Sequence, residues 1–340
     1  MLKPTLKQRI LKAADWFVNS QVVQKKPYWD ANHGRYLYNR HIKSGTTVLG
    51  INWSCARGIM VALSAYELTG KARYLNSAKM AGDYLKALQI IYPDNDKIDG
   101  SIAEQVPQSI ITGTRDAVEA ADAFLFIYRI TGEREYLDRA TMWAQWFFKN
   151  IKSKGWPSGY FKLYSKNSYK KSGLFLQAAD AMFFFHLYKA TGQKAYVKNT
   201  FPFLLNALKE KHFRNDGALI SDRFACHHTG MGRNKTNIVL NDDGCGVALL
   251  CDYAVNKERS VLDLCLSYGN YLISQKMPLG IYSAFPIQAI YLAELSKISG
   301  NPSYIEFVES NLKHLIDLQV LSHKYPNIKG AFRGEDEESK

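Results

Sequence analysis

The sequence predicts an all-α fold made of repeated helix hairpins. Three observations support this prediction. First, a Thr-Gly pair recurs about every 60 residues, ending at Gly70, Gly132 and Gly192. Second, a strongly apolar segment precedes each pair, and glycine supplies the left-handed conformation that stops a helix. Third, a Tyr-Leu or Tyr-Val step follows each pair and opens a segment whose charges occupy one helix face.

Each repeat therefore pairs an inner helix, apolar nearly all round, with an outer helix that is solvated on one side. The first outer helix is predicted over residues 5–22. The repeat is clear at residues 62–75, 124–137 and 184–197, weaker before Gly300, and degraded at Asn256-Lys257. We expect five inner helices and six outer helices.

The repeat period exceeds the roughly 34 to 47 residues of open helical solenoids. The additional residues lie between hairpins, in loops 93–114, 152–173 and 213–241. We therefore expect one domain over residues 1–340, an (α/α)6-type toroid with short strands in the loops at its mouth. A complete ring needs one more inner helix after Gly330, so we expect a ring that is incomplete or that ends in an irregular segment.

The charge and cysteine content narrow the classes of function. The chain has 44 Lys and Arg against 31 Asp and Glu, a net charge of +13. The basic residues are scattered, which suits an anionic small substrate better than nucleic acid, although solvated outer helix faces explain the excess equally well. No segment has the roughly 18 apolar residues of a membrane span. The five cysteines lack disulfide-like spacing, so we expect reduced thiols and a cytoplasmic protein.

The Tyr-x-x-Thr-Gly-x-x-x-Tyr-Leu turns resemble those of the α/α-toroid glycosidases, in particular the unsaturated glucuronyl and rhamnogalacturonyl hydrolases. The resemblance covers most of residues 50–320. It implies a carbohydrate-active enzyme, a glycoside hydrolase acting on an acidic, uronate-containing oligosaccharide. The family's acid/base aspartate, at the start of an inner helix, corresponds to Asp116. The family's second aspartate has no counterpart, because Trp53 occupies that position.

Inner helices of such a fold begin at the loop-rich mouth, so their first residues face one cavity. Asp242 and Asp243 precede the fourth inner helix, where one aspartate is expected to cap free backbone N–H groups. The other carboxylate is predicted to pair with Asp116, so that one acts as an acid and the other as a base. Arg57 and Arg115, also at inner-helix starts, are predicted to bind substrate carboxylates.

The loops supply further candidate substrate-binding residues. Trp156 and Tyr160 are predicted to stack on sugar rings together with Trp53, and Arg333 to hold an acidic group. His227 and His228 lie in the longest loop, where they would bind a substrate carboxylate or act as a base.

Two alternative functions follow from these patterns. The histidines, with Tyr and Arg, would suit a polysaccharide lyase or a sugar epimerase. If the helix-start acids are only caps, the chain is a non-catalytic helical-repeat binding module. The sequence has no phosphate-binding glycine loop, no dinucleotide fingerprint and no complete zinc ligand set around Cys226, so we predict neither a cofactor nor a metal.

Overall fold

The fold is all-helical, as the sequence predicts. The computed structural model describes residues 4–24, 31–105, 109–155, 159–163, 169–171, 178–211, 213–219, 244–274, 285–321 and 328–333. These residues contain eleven α-helices and five short strands. The expected five inner and six outer helices are all present. None of the described helices combines the length and the apolar character needed to cross a bilayer.

Outer and inner helices alternate along the chain. The outer helices are α1 (Pro4–Ser20), α3 (Ala72–Leu88), α5 (Arg134–Asn150), α7 (Ala195–Lys211), α9 (Arg259–Ser274) and α11 (Ser303–Asp317). The inner helices are α2 (Asn52–Thr69), α4 (Thr114–Thr131), α6 (Ala178–Thr191), α8 (Cys245–Asn256) and α10 (Phe285–Ser299).

The strands lie in the segments that lead into inner helices, as the sequence predicts for the mouth loops. Strands β1 (Leu37–Arg40) and β2 (Thr47–Leu49) form an antiparallel pair before α2. Strand β3 (Ile111–Gly113) runs directly into α4 and pairs with β4 (Gly159–Lys162), which lies between β3 and β5 (Tyr169–Lys171).

Chain contacts group the residues into two compact units. Unit 1 comprises residues 1–156, 160–170 and 319–333, and unit 2 comprises residues 157–159, 171–318 and 334–340. Unit 1 contains α1 to α5, and unit 2 contains α6 to α11. The expectation of a single domain over residues 1–340 stays a prediction.

The Thr-Gly pairs end the inner helices as expected. Gly70, Gly132, Gly192 and Gly300 have φ between 67° and 73°, the left-handed conformation. The side-chain hydroxyl of the residue before each glycine explains why threonine or serine stands there. The Thr69 Oγ1 hydroxyl donates to the Ala65 carbonyl at 2.6 Å and accepts the Lys71 backbone N–H at 3.3 Å, and Thr131, Thr191 and Ser299 make equivalent bonds.

The degraded repeat keeps this conformation without glycine. Lys257 follows α8 with φ 57°, the single described non-glycine residue with positive φ. Its backbone N–H bonds the Tyr253 carbonyl at 2.9 Å, as Gly70 bonds Tyr66. The turn geometry of the repeat is therefore retained although its sequence is lost.

A second repeated feature, which we call the glutamine clasp, links three of the described loops to a neighbouring outer helix. Gln89 follows α3, and its Nε2 donates to the Gly100 carbonyl at 3.1 Å and to the Arg139 carbonyl of α5 at 3.0 Å. Unit 1 holds two equivalent clasps: Gln21 with Gly34 and Ser77, and Gln319 with Gly330 and Arg9. The segment after α11 thus packs on α1 as the segment after α3 packs on α5.

The clasp brings a glycine against helix backbone. Gly100 has φ 85°, and a Cβ built on it would lie 2.5 Å from the Met142 carbonyl oxygen. Gly34 and Gly330 meet the carbonyls of Met80 and Lys12 in the same way. Only glycine fits, because the position requires both a left-handed backbone and room for a helix carbonyl.

Replacement by alanine should destabilise the chain more at a clasp glycine than at a glycine that ends an inner helix. Gly132→Ala adds a Cβ in open space, so we expect it to lower the free energy of unfolding by about 1–2 kcal/mol, the cost of left-handed backbone. We expect Gly100→Ala to lower it clearly further, because its Cβ also displaces α5. Urea unfolding of both variants measures the difference. Equal decreases in the free energy of unfolding would show that the close contact between Gly100 and the Met142 carbonyl does not contribute to stability.

Candidate active site

Three segments of unit 1 converge where α2 and α4 begin. The Asn52 backbone N–H at the start of α2 donates to the Glu104 carbonyl at 3.0 Å. The Glu104 N–H in turn donates to the Ile111 carbonyl of β3 at 3.3 Å, and β3 leads directly into α4. Two backbone bonds therefore fix Glu104 between the N-termini of two inner helices. We call the side chains gathered there the α2–α4 site: Trp53, Arg57, Glu104, Arg115, Asp116 and Glu119.

Alternating charges fill the α2–α4 site. Arg115 Nη1 lies 2.9 Å from Asp116 Oδ1, and its Nη2 lies 3.9 Å from Glu119 Oε1. Arg57 binds Glu119 through two parallel bonds, Nε to Oε2 at 2.8 Å and Nη2 to Oε1 at 2.9 Å. Three of the predicted site residues, Arg57, Arg115 and Asp116, thus belong to one network, in which Asp116 is only 6% exposed.

Glu119 and Glu104 are the two residues of this site that the sequence analysis missed, and Glu104 has an unusual pKa. Burial, and secondarily the nearby charge of Asp116, raise the pKa of its carboxyl to about 7. A carboxyl with such a pKa can carry a proton at neutral pH, which is the property of a general acid. Its only sequence signal was its place at the end of the glycine-containing loop 98–104.

An aromatic surface borders the charges. The Trp53 ring meets the Tyr38 ring edge to face, with centroids 5.5 Å apart, and the Arg57 guanidinium lies 5.3 Å from the Trp53 ring centroid. Tyr38, in β1, was not predicted and is 49% exposed. Exposed aromatic faces of this kind cover the apolar faces of sugar rings well.

The structure describes two of the remaining predicted site residues, Tyr160 and Arg333, and not the others. Tyr160 lies in β4, and its backbone is opposite Gly113, the residue that immediately precedes α4. Arg333 is exposed beside the Gln319–Gly330 clasp and makes none of the described contacts of the α2–α4 site. The others lie outside the described residues: Trp156, His227, His228, Asp242 and Asp243.

Unit 2 contains a buried acid that the sequence analysis also missed. Asp180, in the first turn of α6, is 0% exposed, and among the residues that the structure describes neither of its carboxylate oxygens has a hydrogen-bond partner. Burial raises the pKa of Asp180 well above its usual range. Folding therefore favours the neutral, protonated form of the Asp180 carboxyl over its ionised form.

The described residues contain no group of three or more His, Cys, Asp and Glu side chains placed to hold a metal ion. Within the same residues, Cys55, Cys245, Cys251 and Cys265 are buried and form no disulfide with one another. Burial raises the pKa of Cys55 to about 11, which makes its thiolate scarce at neutral pH.

Solved structures share this fold. Cellobiose 2-epimerase from Bacillus thermoamylovorans aligns with a TM-score of 0.65 and 12% identity, covering 95% of this chain and 90% of its own. An unsaturated glucuronyl hydrolase specific for heparin aligns with a TM-score of 0.68 and 14% identity over 95% and 87%. An α-1,6-mannanase from Salegentibacter sp. aligns with a TM-score of 0.59 and 15% identity over 93% and 89%.

These likenesses confirm the α/α-toroid fold that the repeat predicts. At the level of sequence, no family model matches the chain, and no curated protein matches it significantly. The Thr-Gly turns therefore predict the fold from the sequence, although the overall sequence identity to proteins of this fold is low.

Asp180 should make the stability of the chain depend on pH. Because its folded-state pKa is raised above the usual value near 3.8, ionising it destabilises the fold progressively as the pH rises from that value towards the folded-state pKa. We expect Asp180→Asn to raise the free energy of unfolding by about 1–3 kcal/mol at pH 8, and by less at pH 5.

Urea unfolding at the two pH values measures this effect. Asp263→Asn, an exposed aspartate of α9, is the matched control and should show no such pH dependence. A pH-independent difference between Asp180→Asn and the unaltered chain would contradict an ionisable, unpaired Asp180.

Proposed function

We propose that the chain is a glycoside hydrolase that acts on an acidic, uronate-containing oligosaccharide, with Asp116 as its acid/base residue. The observation that carries this proposal is the placement of Asp116. Its carboxylate lies in the first turn of an inner helix, nearly buried and bonded to Arg115, and its charge acts on a second carboxyl, that of Glu104. Hydrolysis of a glycosidic bond by carboxyl groups needs such a pair.

Three similar structures support a carbohydrate as the substrate. By their own descriptions they act on cellobiose, heparin and α-1,6-mannan. In another structure of the mannanase, two adjacent aspartates are replaced and the inactive variant holds α-1,6-mannotetrose. This chain has an adjacent pair in Asp242 and Asp243, which supports one of them as a further acidic residue of the site.

The acidic character of the substrate is proposed from the arginines. The Arg57 side chain is 44% exposed although it binds Glu119, and it lies over Trp53. A sugar ring stacked on Trp53 would bring its carboxylate to the exposed part of this guanidinium, which would bind it by charge-assisted hydrogen bonding. Arg115 and Arg333 would add to the attraction, as would the net charge of +13.

Epimerisation is the second candidate. Two of the similar structures are described as epimerases, a cellobiose 2-epimerase and a sugar epimerase from a ruminal bacterium. His227 and His228 would supply the base in that reaction. An isomerised sugar without new reducing ends would favour epimerisation, whereas new reducing ends favour hydrolysis and ultraviolet absorbance of an unsaturated uronate favours elimination.

Asp116→Asn tests the proposal directly. A panel of acidic and neutral oligosaccharides is incubated with the protein, and reducing ends, ultraviolet absorbance and isomers are measured together. On the substrate that the panel identifies, we expect Asp116→Asn to lower kcat/KM by about 10²–10⁴-fold, because the amide cannot exchange a proton with the reacting groups.

Asp138→Asn is the matched control for Asp116→Asn. Asp138 is an exposed aspartate of α5, bonded to Arg134, and its replacement should leave kcat/KM unchanged. Full activity of Asp116→Asn would remove Asp116 from the catalytic machinery.

A further inference from the structure

We propose that Glu104 is the second catalytic carboxyl, the group that donates a proton to the leaving oxygen, while Asp116 acts as the base. This inference rests on the proposed hydrolase function and names the partner of Asp116. The sequence pointed to Asp242 or Asp243 for that role.

The backbone geometry places Glu104 against the strand that leads into α4, the helix of Asp116. The Glu104 carbonyl accepts the N–H that opens α2, and the Glu104 N–H reaches β3, which ends at the residue before α4. Asp116 is the third residue of α4. Its charge acts on the Glu104 carboxyl, so the two groups lie within electrostatic reach of each other.

The two carboxyls have opposite surroundings. Asp116 is bonded to Arg115, and the neighbouring Glu119 is bonded to Arg57, so both arginines of the site are engaged by other carboxylates. Among the described residues, Glu104 is the carboxyl of this site without an arginine partner, and it is half-buried. Two carboxyls whose surroundings differ in this way divide into one that holds a proton and one that is ionised.

The reaction then balances with water as the co-substrate. The Glu104 carboxyl gives its proton to the glycosidic oxygen as the bond between this oxygen and the anomeric carbon breaks. The oxygen of a water molecule bonds to the anomeric carbon, and Asp116 takes a proton from that water. Proton exchange with solvent restores both carboxyls, and the products are a sugar with a new reducing end and an alcohol.

With Glu104 as the proton donor and Asp116 as the base, neither role falls to Asp242 or Asp243, and one of them remains a further acidic residue of the proposed site. They directly precede Gly244 and α8. Both lie outside the described residues, and Gly244 itself is the N-cap of α8.

Leaving-group chemistry tests the proposal. Glu104→Gln is compared with the unaltered chain on the oligosaccharide found in the panel and on the 2,4-dinitrophenyl glycoside of the same sugar. We expect Glu104→Gln to lower kcat/KM by about 10²–10⁴-fold on the oligosaccharide, but by about tenfold or less on the dinitrophenyl glycoside, whose leaving group needs no proton. Glu67→Gln, an exposed glutamate of α2 bonded to Arg129, is the matched control and should match the unaltered chain on both.

A pH profile gives a second readout that needs no variant. Because Glu104 must carry its proton to act, kcat/KM of the unaltered chain on the oligosaccharide should fall as the pH rises through about 7, the pKa of Glu104. On the dinitrophenyl glycoside this alkaline fall should be absent. Identical profiles on the two substrates would overturn the assignment, whether or not Glu104→Gln folds.

The remaining outcomes separate the two proposals. If the unaltered chain cleaves the oligosaccharide but Glu104→Gln is fully active, or loses equally on both substrates, Glu104 is not the proton donor and the hydrolase proposal stands. If the unaltered chain releases no reducing ends from any member of the panel, the hydrolase proposal itself is overturned.

Discussion

The glutamine clasp is the constraint on which the α2–α4 site depends. Gln89 ties Gly100 to α5, and only a glycine allows that segment to lie directly against a helix carbonyl. Four residues later the same segment supplies Glu104, whose carbonyl receives the first N–H of α2. The backbone position of Glu104 is thus linked, through a short piece of chain, to a contact with an outer helix.

The electrostatics of the site follow from helix packing. Inner helices α2 and α4 pack against each other, and both carry fully buried small residues, Ala56 and Ala62 in α2 and Ala117 and Ala121 in α4. Arg57 of α2 reaches Glu119 of α4 through two bonds. The ion pair holds both side chains in place, and it balances charge around Asp116, so that the carboxyl left without an arginine is the one suited to carrying a proton.

The sequence predicts what is local and misses what depends on distant contacts. Thr-Gly turns, inner-helix starts and the residues on them, such as Asp116, Arg115 and Trp53, follow from capping chemistry and periodicity within a few residues. Glu104 and Tyr38 lie in connecting segments, and they join the site only because backbone bonds and strand pairing bring those segments together. Asp180 lies on a recognised helix, but its importance comes from total burial among neighbours, which its local sequence does not encode.

The ion pairs between α2 and α4 have an implication for assembly. Arg57 meets Glu119 and Glu67 meets Arg129, and in both cases the partners are 62 residues apart, at equivalent places in successive repeats. The sign of the charge is reversed between the repeats at both places. A hairpin therefore attracts its proper successor and repels a second copy of itself. Each exposed pair contributes little stability, but the reversal discriminates between correct stacking and domain-swapped pairing of like hairpins. At these two places, the charges therefore favour the order in which α2 and α4 follow each other in the fold.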